Sequence, residues 1–169
     1  MRIAIIGAHR VGKTTLAEEL LDRLPGYTLE MEPYHELEAA GYEFSATPGA
    51  EDFIKQFHYS ARQVVRAGDN VIFDRCVIDI LAYLHASEPE RNIQSLFEKA
   101  QAIIADIDLL VFVPVEEPDL IPVQDADLPE LREMVNELLY VWMGDWDVET
   151  IEVSGTLSDR CDLVMAKII

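Results

Sequence analysis

Eight consecutive residues, Gly7-Ala8-His9-Arg10-Val11-Gly12-Lys13-Thr14, obey the spacing G-x-x-x-x-G-K-[ST]. They lie between a β-branched apolar run, residues 2–6, and a stretch carrying Leu16, Leu20, Leu21 and Leu24 at helical spacing. An apolar run that stops at a glycine predicts a strand covered on both faces, as in a parallel sheet. The leucine spacing predicts a helix, ended by Pro25-Gly26. Glycines between the two let the chain curl so that successive backbone N–H groups point at one spot before the helix N-terminus, whose dipole adds positive potential there. Strand, loop and helix in this order are the context in which the pattern means a phosphate cradle, known as a P-loop.

The remaining chain alternates in the same way. Residues 27–31 read as a second strand leading into Glu32-Pro33, and a helix is expected to open at Thr47-Pro48 and run to Gly68 with Phe53, Phe57, Ala61 and Val64 on one face. Residues 70–73 predict a third strand that delivers Asp74-Arg75 at its carboxyl end. A helix with Ile80, Leu81 and Leu84 facing inward follows, then a second at about 89–105 and a fourth strand at 109–113. Prolines and acids crowd residues 116–129, which predicts a mobile loop. Asp127-Leu128-Pro129-Glu130 reads as a capping box opening a helix to about Met143. Residues 150–153 are a fifth strand, and Ser154-Gly155-Thr156 turns into a last helix with Thr156 and Asp159 as its capping pair. This order predicts an α/β, three-layer P-loop NTPase fold: a five-stranded parallel sheet flanked by helices, with ligands at the carboxyl ends of the strands. One domain, residues 1–169, is expected, with 116–131 as a lid-like loop.

Charge narrows the partners. Acidic residues outnumber basic ones 32 to 13, a formal charge of −19, which repels nucleic acid and anionic membrane over most of the surface. A polyphosphate ligand must therefore be held by local backbone donors, a lysine and Mg²⁺ rather than by long-range steering. No apolar run approaches the roughly 20 residues that cross a bilayer, and the apolar start is too short for a signal-peptide core, so a cytoplasmic protein is expected. Cys76 and Cys161 have neither metal-pair nor disulfide-framework spacing and read as free thiols. A homodimer is compatible with all of this.

Within the loop, Gly7, Ala8, His9, Arg10, Val11, Gly12, Lys13, Thr14 and Thr15 are the expected nucleotide contacts. Lys13 would reach the β- and γ-phosphates, Thr14 would hold Mg²⁺ and Thr15 would donate to the α-phosphate. His9, with no carboxylate near it in sequence, reads as an exposed loop tip. The chain lacks the Asn-Lys-x-Asp segment of GTPases and the Leu-Ser-Gly-Gly signature of ABC-type ATPases. It has instead Val71-Ile72-Phe73-Asp74-Arg75 followed by Cys76-Val77-Ile78-Asp79-Ile80-Leu81-Ala82-Tyr83.

This run, with the P-loop, Glu32-Pro33 and the Gly155 turn, resembles the thymidylate kinase, deoxynucleoside kinase and ribosylnicotinamide kinase group, including small AAA-labelled ATPase-like proteins. The resemblance implies ATP- and Mg²⁺-dependent phosphoryl transfer to the hydroxyl of a small nucleoside-like acceptor. Asp74 then sits where that group places an acid near Mg²⁺, and Arg75 where an arginine pairs with phosphate or with the catalytic carboxylate. Glu32 matches the glutamate that accepts the acceptor's proton, with Glu30 and Glu36 as alternatives. Asp79, Arg62, Gln63, Tyr34 and Phe57 are candidates for the acceptor pocket, Phe57 doubling as core. Arg160 either flanks adenine or lies on the surface. The group usually carries arginines in the loop after the fourth strand, whereas here the first is Arg132, the candidate closing charge. Two alternatives stay open: a nucleoside monophosphate kinase, for which Lys55, Arg62, Arg66 and Arg75 are the nearby cations, and a nucleotide-binding or slowly hydrolysing regulatory ATPase.

Overall fold

The computed structural model describes residues 1–168, leaving the last residue of the expected domain outside the description. Its elements are β1 (Arg2–Ile6), α1 (Lys13–Arg23), β2 (Thr28–Glu30), α2 (Pro33–Ala39), α3 (Ala50–Arg66), β3 (Val71–Asp74), α4 (Val77–Ser87), α5 (Gln94–Ile104), β4 (Leu109–Phe112), α6 (Pro129–Trp142), β5 (Thr150–Glu152) and α7 (Leu157–Ile168), with single 3₁₀ turns at Asp125–Asp127 and Met143–Asp145. The five strands are parallel in the order β2-β3-β1-β4-β5. β1 lies at the centre because it is apolar on both faces. Ala4 and Ile6 meet Phe57, Phe73 and Phe112 on the face covered by α3, α4, α5 and α6. Ile3 and Ile5 meet Leu16, Leu20 and Val164 on the face covered by α1 and α7. No described helix is long and apolar enough to cross a membrane.

β1 has β3 on one side and β4 on the other, so the crossovers leave it in opposite directions and open a crevice at its carboxyl end. Register places the same depth of sheet at that edge: Ile5 pairs with Asp74 and with Val111. Gly7, Asp74-Arg75 and Val113 therefore emerge side by side.

Several local expectations shift. The long helix begins at Ala50 rather than at Thr47-Pro48, because the buried Asp52 carboxylate accepts from the Ser45 and Gly49 N–H groups at 3.3 and 3.2 Å and caps the helix from inside. α2, unforeseen in sequence, starts at Pro33 with Glu32 as its cap residue. The expected capping box at Asp127 does not form: Leu128, at φ 51°, caps α6, and the Asp127 carboxylate instead accepts from the Gln124 N–H at 2.9 Å. Thr156 and Asp159 do cap α7 reciprocally, at 2.9 and 3.2 Å. Residues 116–129, expected to be free, are tied to the rest of the protein by Glu116, Asp119 and Asp127.

Candidate functional site

The chain turns sharply out of β1 at Gly7, where a side chain would overlap the Val113 carbonyl oxygen. It re-enters helix at Gly12, whose φ of 90° belongs to the left-handed region that glycine adopts without strain. Between these points the N–H groups of Arg10, Val11 and Gly12 have no acceptor among the described residues. Lys13 is buried at the start of α1, and its Nζ donates to the Ala8 carbonyl. Burial holds this ammonium well below its ordinary pKa, the Arg75 charge adding to the effect against the pull of Asp79, Glu32 and Asp74.

Beside Lys13 the Thr14 hydroxyl donates to Asp74 Oδ2 at 2.6 Å. Asp74 Oδ1 is buried without a partner, and burial pushes the carboxyl above its usual range. A buried, half-satisfied carboxylate next to a hydroxyl fits a hard cation. Among the described residues no three His, Cys, Asp or Glu side chains gather as a metal cage, so a cation at Thr14 and Asp74 would complete its shell with phosphate oxygens and water, the habit of Mg²⁺.

The second wing of the site is an ion network. Arg75, at φ 75°, donates from Nε to Glu32 Oε1 at 2.7 Å and lies 3.5 Å from Asp79 Oδ2, with its guanidinium 5.1 Å from the Tyr83 ring centre. Burial works against a charge on Glu32, yet Arg75 and Lys13 overcome it and hold the carboxyl below its ordinary value. Asp79 is completely buried and pushed up to about 6, since desolvation outweighs Arg75 and Lys13; one oxygen accepts the Cys76 N–H at 3.0 Å and the other has no hydrogen-bond donor. Asp79 thus stands behind Arg75 and outside the cavity wall.

These groups and the loop open into one cavity of about 880 Å³. Its far wall is aromatic: Tyr34 stacks on Phe44 at 4.2 Å, Phe44 meets Tyr42 edge-on, and Phe53 stacks on Tyr83 at 5.5 Å. Gln56, 7 % exposed, lines the same wall and hydrogen-bonds to no other described side chain or backbone group. Tyr34 was expected here. Phe57 is wholly in the core, and Gln63 braces the second strand through Glu30 and the Met31 carbonyl, so neither lines the cavity. Arg62 lies over Tyr59 away from it, while Glu30 and Glu36 are engaged with Arg66 and Tyr59.

His9 is not an exposed tip. Its N–H donates to the Tyr83 hydroxyl, its Nδ1 lies 2.6 Å from the same oxygen, and its Nε2 meets the Asp127 carbonyl. The phenol has one proton, so the consistent arrangement is Tyr83 O–H donating to Nδ1 and Nε2–H donating to Asp127; burial keeps the ring neutral by lowering its pKa. Tyr83 sits one helical turn after Asp79, so the Asp-Arg motif carried this signal unread. Phe44, Gln56 and Asp52 had no such pattern around them. Arg132 and Arg160 lie on the outer side of the loop. Both are 5 % exposed and bound to carbonyls on the outer side of the loop rather than in the cavity. Arg132 therefore neither swings free nor pairs on an exposed helix, and Arg160 is not on the surface.

A family model described as an AAA domain matches residues 2–160. Comparison with curated proteins finds no match. Among solved structures, deoxyadenosine kinase from M. mycoides superposes with a TM-score of 0.67 at 17 % identity, over 99 % of this chain and 98 % of its own. Thymidylate kinase from Candida albicans does so with 0.67 at 16 %, over 99 % and 90 %. The NadR protein in complex with NR reaches 0.70 at 17 %, over 98 % of this chain and 50 % of its own. These likenesses establish the three-layer α/β fold.

Proposed function

The chain belongs to the AAA-domain family, and on that premise we propose that it transfers the terminal phosphoryl group of Mg-ATP to the hydroxyl of a small nucleoside-like acceptor. The observation that carries this is the single cavity joining the phosphate loop to the ionised Glu32 and an aromatic wall. A protein that merely bound or hydrolysed nucleotide needs no second, aromatic wing beside a held carboxylate. The likeness to a deoxyadenosine kinase with bound dATP and to a thymidylate kinase supports the same reading.

In this reading the N–H groups of residues 10–12 and Lys13 bind the phosphates, while Thr14 and Asp74 hold Mg²⁺. The cation, when bound, offsets charge on the phosphate oxygens. Glu32 takes the proton of the acceptor hydroxyl as that oxygen attacks phosphorus. Arg75 orients Glu32 and keeps it ionised, a role that the 2.7 Å contact and the lowered pKa support. Arg10 supplies the closing charge: it lines the cavity, its side chain is 48 % exposed, and its ties are a 3.4 Å ion pair to Asp127 and a 3.5 Å contact with the Pro122 carbonyl. The far wall offers Tyr34, Phe44, Phe53 and Gln56 and no lysine or arginine, which favours an uncharged nucleoside over a nucleoside monophosphate.

The test is Mg-ATP consumption and product analysis with a panel of nucleosides, nucleoside monophosphates and vitamin-like ribosides. A phosphorylated riboside supports the proposal. Slow ATP hydrolysis indifferent to every acceptor would make the protein a nucleotide-dependent regulator instead, and a monophosphate acceptor would overturn the choice of substrate.

A further inference from the structure

Three consecutive peptide groups of the phosphate loop share one arrangement. The His9 carbonyl accepts from Arg132 Nε at 2.8 Å, the Arg10 carbonyl from Arg132 Nη2 at 3.0 Å and the Val11 carbonyl from Arg160 Nη1 at 2.6 Å. The N–H ends of the same peptides, on Arg10, Val11 and Gly12, have no acceptor. Each guanidinium carries its own counter-ion from the segment after the fourth strand. Arg132 makes a two-point contact with Asp119 at 2.8 and 3.1 Å, and Arg160 pairs with Glu116, whose other oxygen accepts the Gly155 N–H at 2.9 Å.

We propose that Arg132 and Arg160 are positioning residues for phosphate binding, bracing the loop from its outer side so that three N–H groups stay aimed inward. The proposal rests on the reading of the loop as a triphosphate site. Two effects follow from the geometry. A cation on the carbonyl end of a peptide polarises it and strengthens the N–H at the other end as a donor. Pinning three adjacent peptides also removes conformers in which an N–H turns away, lowering the entropy lost on binding. Asp119 and Glu116 neutralise the buried guanidinium charges, which would otherwise be costly to hold there. The brace adds a second reason for Gly12: a side chain at that position would lie 3.3 Å from Arg160 Nη1.

Calorimetry on the full chain with Mg-ATP, Mg-ADP and AMP distinguishes this role from the alternatives. Without the brace the loop samples conformers in which an N–H turns away, so Arg132→Ala and Arg160→Ala should bind Mg-ATP and Mg-ADP about 10- to 100-fold more weakly. AMP affinity should stay within about twofold, and the transfer rate at saturating ATP within a few-fold. Arg132→Lys and Arg160→Lys keep the charge and the buried stem, and they decide the matter if the alanine variants do not fold. A single ammonium cannot serve a carbonyl and a carboxylate in the guanidinium's planar fork, so the lysine variants should show most of the same selective loss. Folded variants with parental Mg-ATP affinity overturn the proposal. Equal losses for AMP assign Arg160 to the adenine side, and an intact affinity with transfer lowered by about 10² returns Arg132 to a closing charge. Failure of the parent protein to bind Mg-ATP at all removes the phosphate reading itself, a result separable from unchanged variants of a binding-competent parent.

Discussion

The two ends of the cavity are built by opposite means. At the end proposed for the phosphates, the polar groups are mostly backbone, drawn from one run of residues between β1 and α1, with Lys13 and Thr14 on the first helical turn. At the end proposed for the acceptor the lining consists of side chains from scattered segments: Glu32 before α2, Phe44 in the following loop, Phe53 and Gln56 on α3, Arg75 and Tyr83 around α4. Backbone donors recognise any polyphosphate and tolerate many sequences around two glycines. Side-chain walls recognise one shape. A fold can therefore keep the first end while rebuilding the second, and substitutions at the two ends should fail differently, the first in nucleotide binding and the second in the acceptor.

The sharpest break should come at Lys13. Its ammonium contacts a loop carbonyl rather than packing into the core, so Lys13→Ala is expected to remain folded with its melting temperature little changed. Triphosphate-dependent turnover should fall on the order of 10³ or more, since a buried cation aimed at developing charge is lost. Calorimetry and ATP consumption check both halves; retained turnover would mean that backbone donors suffice and the phosphate end has been misjudged.

Arg10 sits where the two ends meet and comes next. Arg10→Ala should leave Mg-ATP affinity nearly intact and lower the transfer rate by about 10² to 10³, the range for one transition-state donor. Single-turnover kinetics at saturating nucleotide separate this from a binding defect. A parental rate would leave the site without a mobile closing guanidinium, and the regulatory alternative would gain.

Glu32 tests the acceptor end. Glu32→Gln preserves shape but cannot take a proton, so transfer should drop about 10² with triphosphate affinity unchanged. An acceptor-dependent rate within a few-fold of the parent would reduce Glu32 to an anchor for Arg75.

What could be seen in advance follows the same division. The succession of five strands in a parallel sheet, the loop, and the placing of Asp74 at a strand end were legible because each is announced by neighbours in sequence: an apolar run, a glycine, a charged pair after the run. The contacts of Arg132 and Arg160 could not be read in advance, because their partners are backbone carbonyls 123 and 149 residues away, which leave no mark on side-chain patterns. The Thr47-Pro48 start failed for a related reason. Asp52 supplies the cap from within the helix, and a proline-based signal lost to a buried carboxylate. His9 looked idle because its partners are a tyrosine hydroxyl on α4 and a carbonyl at residue 127.

The smallest expected effect is at Gln56, and it separates the two ends most cleanly. Its side chain is buried on α3, with an amide that finds no partner in the protein although it borders the cavity beside Phe53. The amide faces the cavity without a protein partner, so a ligand that supplies a donor and an acceptor, such as the polar edge of a heterocyclic base between aromatic rings, can pair with it. Gln56→Leu keeps similar volume and removes only that polarity. With a neutral amide contributing about 0.5–1.5 kcal/mol, KM for the acceptor should rise roughly 3- to 10-fold, while the KM for ATP and the rate at saturating acceptor stay close to parental. The stability of the free protein should change little, since the amide borders the cavity rather than being sealed in the core. A rise in the KM for ATP instead would mean that the aromatic wing receives the nucleotide base and that the two ends have been assigned the wrong way round.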